Sequence, residues 1–70
     1  MGSTLENFGY ERVRDSKYIR RYADSHGNVI QFNKEFKQYV ICNIRYDINV
    51  AVDEHLHFAI ETEMHRMGWI

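Results

Sequence analysis

Residues 55–65 read HLHFAIETEMH and hold three of the four histidines of the chain together with two glutamates. On a helix, at 100° per residue, His57, Glu61 and His65 line up at i, i+4 and i+8. Histidine and glutamate at that spacing can share a zinc-type ion, because an imidazole nitrogen and a carboxylate oxygen then lie on one side of the helix. Three ligands from one helix close a tetrahedron poorly, since i and i+8 stand about 12 Å apart at roughly 1.5 Å per residue. A zinc-protease helix would read H-E-x-x-H, and this stretch does not. No metal and no other cofactor is expected, and the line reads as a solvated polar face with modest His–Glu pairing.

Phe58 carries more information. Its helical angle is about 160° from Leu56, so it points away from the apolar stripe, in nearly the direction of Glu54 and His65. An aromatic exposed on an acidic helix is a candidate interface anchor, because aromatics dominate binding hot spots. Glu54, Phe58, Glu61 and His65 are therefore the candidate partner-binding face. A single exposed apolar residue is also ordinary, and a short N-terminal element folding over it is a third reading.

Catalytic chemistry finds few residues. Cys42 has no base beside it in sequence and falls in a strand, as a small core residue would. Glu61 and Glu63 point in different directions and make no acid/base pair. No Gly-rich phosphate loop is present, and a non-enzymatic protein is expected.

Residues 12–21 carry Arg12, Arg14, Lys17, Arg20 and Arg21 against Asp15 alone, a local balance of +4. With Tyr10, Tyr18 and Tyr22 close by, a sheet presenting them could stack bases and contact phosphates. Arg20 and Arg21 point to opposite faces of a strand, however, and the tyrosines could equally pack across strands. Residues 47–63 carry Asp47, Asp53, Glu54, Glu61 and Glu63 without a Lys or Arg, a balance of −5. Both runs also read as solvated faces that partly neutralise each other.

These residues must be positioned by a small scaffold. TLENFGY reads as a helical turn capped by Thr4, with Leu5 and Phe8 on one side and Gly9 ending it. YERVRD, KYIRRYAD, VIQF and KQYVICN read as strands, separated by turn signals at Asp15–Ser16, DSHGN and NKEF. Ile19 and Ala23 share one face, and Tyr18, Arg20 and Tyr22 the other. Ile30 and Phe32 go together; so do Tyr39 and Ile41, with Val40 and Cys42 opposite. Loops this short imply antiparallel pairing. Val52, Leu56, Ala59, Ile60, Met64 and Met67 then fall at steps of three and four, the stripe of an amphipathic helix. Asn49 or Asp53 would cap it and Gly68 would stop it, with Trp69 and Ile70 folding back as an anchor. The expectation is an α+β domain: an antiparallel β-meander of three or four strands packed by one C-terminal α-helix, with a short N-terminal helical turn.

Length sets the remaining bounds. Seventy residues, 44% hydrophobic and 14% aromatic, make one folded domain over residues 1–70 with a thin core. One cysteine forbids an intrachain disulfide, so extra stability would come from packing, a metal or oligomerisation. The net charge of −1 is not that of a polycation. No apolar run approaches the roughly 20 residues of a membrane span. The N-terminus lacks a basic region followed by an apolar stretch, so no secretory leader and a cytoplasmic address are expected.

FGYERVRDSKYIRRY and LHFAIETEMHRMGWI together resemble small uncharacterised proteins of phages and prophages of Gram-positive bacteria. The resemblance is carried by Gly9, Tyr10 and Glu11, by Ile19, Arg20 and Tyr22, by Leu56, His57, Ala59 and Ile60, and by Gly68 and Trp69. It spans nearly the whole chain, but NKEFKQYVICNIRYDINV has no counterpart. The resemblance implies context, and no functional residue is carried over. Small phage proteins often bind and block a host protein, anti-CRISPR inhibitors of bacterial immunity among them. The leading expectation is such a host-protein binder, acting through Glu54, Phe58, Glu61 and His65 in the host cytoplasm. A small nucleic-acid-binding regulator using Arg12, Arg14, Lys17, Arg20 and Arg21 is the alternative, and a homodimer is a third.

Overall fold

The computed structural model describes residues 4–46, 48–49 and 52–70. Its elements follow the sequence pattern. A short 3-10 helix, Leu5–Phe8, is capped by Thr4, whose side chain accepts from the Asn7 amide, and ends at Gly9. Leu5 is buried beneath it, whereas Phe8 is partly exposed. Strands β1 (Glu11–Asp15), β2 (Ile19–Ala23), β3 (Asn28–Asn33) and β4 (Gln38–Asn43) form the antiparallel meander. A fifth, two-residue strand, β5 (Ile48–Asn49), adds to β4 and was not foreseen from sequence. Helix α1 (Glu54–Arg66) completes the α+β domain.

The turns form where side chains can satisfy the backbone. Asp24 Oδ1 accepts from the His26 and Asn28 amides, both at 2.9 Å. Asn43, buried, donates from Nδ2 to the His26 carbonyl and accepts the Arg45 and Tyr46 amides at Oδ1. One side chain thus joins the β2–β3 turn to the loop after β4. Buried polar groups stay buried only when paired in this way.

Alternation along the strands decides the two faces. Tyr22, Ile30 and Ile41 stand in one cross-strand row, and Arg20, Phe32 and Tyr39 in the next, all toward α1. Leu5, Tyr10, Tyr22, Ile30, Phe32, Leu56, Ala59 and Ile60 form the core, flanked by Tyr39, Ile41, Met64, Met67 and Trp69. Phe32 is its hub, edge-on to Tyr22 and to Trp69 with ring centroids 6.3 and 5.9 Å away.

Asp53, not Asn49, caps α1, its Oδ1 accepting from the Leu56 amide at 2.8 Å. Asn49 is spent in β5, and Val52 precedes the helix, exposed, outside the stripe assigned to it from sequence. Gly68, at φ +76, turns the chain so that the Trp69 amide reaches the Met64 carbonyl at 2.9 Å. Trp69 folds back as expected. Ile70 does not; it is exposed.

Candidate interaction surfaces

The outer face of α1 bears Glu54, Phe58, Glu61 and His65, none of them buried, with Phe58 55% exposed. His57 Nε2 meets Glu61 Oε1 at 2.6 Å, one turn apart. Among the described residues no three His, Cys, Asp or Glu side chains come together as a metal site. Part of the acidity of the segment is spent locally. Asp53 caps the helix, Glu63 is buried, and Asp47 lies outside the described residues. Glu54 and Glu61 are the helix carboxylates left on the outward face.

Glu63 is the residue that sequence reasoning missed. Its Oε2 accepts from Arg20 at 2.6 Å, and its side chain is 3% exposed against 17% for Arg20. Its other oxygen faces Arg66 at 3.4 Å. Burial, with this carboxylate alongside, pushes the Tyr22 hydroxyl up to about 12. Asp15 holds the other side of the Arg20 guanidinium and also accepts from Lys34 at 2.7 Å and Arg12 at 3.3 Å. Hydrogen bonds from Lys34 and Arg20 bring its carboxyl down to about 2. A signal for Glu63 was present in the sequence: it stands seven residues after Leu56, on the apolar stripe.

The five basic residues of the 12–21 segment do not share one surface. Arg12 and Arg20 lie on the helix side of the sheet, bound to Asp15 and, for Arg20, to Glu63. Arg14 and Arg21 oppose each other across β1 and β2 on the far side. Lys17 sits in the intervening turn, its ammonium 5.6 Å from the Tyr18 ring centroid. A bulge at Val13 causes the split, because an extra residue reverses the alternation between Arg12 and Arg14.

Among the described residues no element packs on the far side of the sheet. Its rows read Glu11, Ala23, Val29, Cys42 and then Arg14, Arg21, Gln31, Val40. Val13, Ala23, Val29, Val40, Cys42 and Ile44, with Arg21 and Gln31, line a shallow trough of about 450 Å³. Arg21 is held by Gln31, whose Oε1 accepts from Nε and NH2 at 3.0 and 2.6 Å. Cys42 is thus one wall of an apolar trough, with Ala23, Val29 and Val40 around it. The molecule presents two surfaces, an acidic helix face with an aromatic centre and an apolar sheet face with charged margins.

No protein-family model, curated protein or solved structure matches the chain. No helix among the described residues is long and apolar enough to cross a membrane.

Proposed function

We infer that the chain is a non-enzymatic binding protein of phage or mobile-element type that engages and modulates a host protein, an inhibitor of bacterial immunity being the narrower form. The observation that supports this reading is Phe58, 55% exposed at the middle of the outer face of α1. The helix beneath it is fixed by its buried stripe and by the Glu63–Arg20 pair. A rigid aromatic on a fixed helix loses little side-chain entropy on binding, which is why such residues serve as anchors. Glu54 and Glu61 flank it, so the fitting partner surface is an apolar pocket rimmed by basic residues.

The test is affinity capture from bacterial lysate, before and after nuclease, with the wild-type chain and with Phe58→Ala/Glu61→Lys. A protein retained near equimolar ratio after nuclease, and lost by the double variant, supports the reading. Retention by the double variant overturns the assignment to the helix face. Capture that disappears with nuclease and falls steeply with salt would instead favour nucleic acid at Arg14 and Arg21.

A further inference from the structure

We propose that the open face of the sheet binds a second copy of this chain, giving a sheet-on-sheet dimer with both α1 helices outermost. An antiparallel sheet with one solvated face normally shows polar residues there. Here the face carries Val13, Val29, Val40, Cys42 and Ile44, with Val13 55% and Val40 53% exposed. The opposite face of the same sheet is filled by α1, so the apolar surface has a partner on one side only.

Charge complementarity identifies the occupant. Glu11 and Arg14 lie on this face, both exposed, in adjacent rows of β1. Among the described residues neither forms an ion pair within its own chain. Take a two-fold axis between two such sheets, running across the strands and between the two rows. It lays β1 on β1 and sets Glu11 of each copy over Arg14 of the other. The same operation places Cys42 opposite Val40, Val29 opposite Gln31 and Ala23 opposite Arg21, so each trough is closed by the Val40, Cys42, Gln31 and Arg21 side chains of the other copy. Sheets pack face to face about 10 Å apart, which these side chains span. The domain is a slab 31 × 29 Å across and 18 Å thick. A specific interface buries roughly 800 Å² per partner, so the dimer would engage the whole open face rather than the trough alone. A 70-residue chain with a thin core is also one for which association adds stability.

The experiment is sedimentation equilibrium of the full chain, with Val40→Asp, Glu11→Arg, Arg14→Glu and the Glu11→Arg/Arg14→Glu double variant. The wild type should sediment at twice the 8.5 kDa chain mass. Val40→Asp should weaken association by about 100-fold, and each single charge reversal by about tenfold. The double reversal should restore it, because the pair is exchanged between copies. Circular dichroism checks that each variant is folded, and the three substituted positions, Glu11, Arg14 and Val40, are exposed in the single chain. Maleimide labelling of Cys42 should be slow in the wild-type dimer and fast in Val40→Asp. A wild-type monomer overturns the proposal, even if a lysate protein then occupies the face. A dimer indifferent to Val40→Asp, or not restored by the double reversal, overturns it as well. These outcomes are independent of the Phe58 test, which probes the opposite side of the domain.

Discussion

Arg20 and Glu63, 43 positions apart in sequence, meet at 2.6 Å between the sheet and α1. Glu63 is almost wholly out of water. Arg20 donates to Glu63 on one side and to Asp15 on the other, so the guanidinium bridges the helix and the β1–β2 hairpin. Removing one member of such a pair strands the other charge in a poorly solvated place. Replacing both by apolar groups does not. Glu63→Ala should therefore destabilise the domain by about 3 kcal/mol, and Arg20→Met/Glu63→Leu by clearly less. Urea unfolding midpoints of the two variants against wild type decide it. Equal losses would show that the pair contributes net stability rather than specifying how the helix sits.

Asp15 gives the domain an acid-side dependence. Its carboxyl lies at about 2, below the ordinary 3.8, because Lys34 and Arg20 hydrogen-bond to the ionised form. A group depressed on folding contributes stability that is complete above the unfolded value. That stability fades as pH falls from 3.8 toward 2, where the folded state also takes up the proton. Asp15→Asn should lower stability at neutral pH and flatten the dependence across that interval. Its side chain is about one-third exposed, so solvent screening limits the size of the effect. Denaturation midpoints measured through that interval for both chains provide the check. Unchanged steepness would assign the acid limb to other carboxylates.

The strands, their turns and the helix were legible because each rests on local chemistry. Period two puts Tyr39 and Ile41 opposite Val40 and Cys42, and Asp24 closes its own turn. What was not legible depends on irregularity or on distant contact. Arg12 and Arg14 would share a face in a regular strand, and the bulge at Val13 separates them. Nothing in ERVRD announces that bulge. The position of Glu63 on the apolar stripe was readable, but its partner Arg20, 43 positions away, is brought to it only by the fold. The apolar sheet face was visible only as alternate residues on several strands, and the register between strands makes it a surface. The outward direction of Phe58 was legible because a single helix phase fixes it.

The β2–β3 turn offers a test of backbone and packing together. Gly27 has φ +87, and a Cβ there would stand 2.8 Å from Arg45 Cγ. Its carbonyl also accepts the Ile44 amide at 2.9 Å, so the turn cannot swing away freely. Gly27→Ala should cost about 1–2 kcal/mol from the left-handed conformation alone, plus displacement of the Arg45 side chain. Adding Arg45→Ala removes the collision and leaves the backbone part. Thermal unfolding of Gly27→Ala with and without Arg45→Ala separates the two. A single variant as stable as wild type would mean that the turn adopts another conformation.

Tyr22 supplies a spectroscopic readout of the same buried cluster from the alkaline side. Burial comes first among the causes that push its hydroxyl up to about 12, and the Glu63 carboxylate comes second. An acid raised on folding contributes stability that is complete below the unfolded value of 10.0. That stability is lost as pH climbs toward about 12, because the unfolded chain ionises first. Ultraviolet titration of the five tyrosines should show one phenolate forming only near the upper end, and Tyr22→Phe should delete that step. Glu63→Gln removes the neighbouring negative charge but leaves the burial, so the step should move down without reaching the ordinary tyrosine value. A late step that persists in Tyr22→Phe would belong to another tyrosine. One that stays in place in Glu63→Gln would make burial the sole cause, and Glu63 would then act on α1 through Arg20 and Arg66 alone.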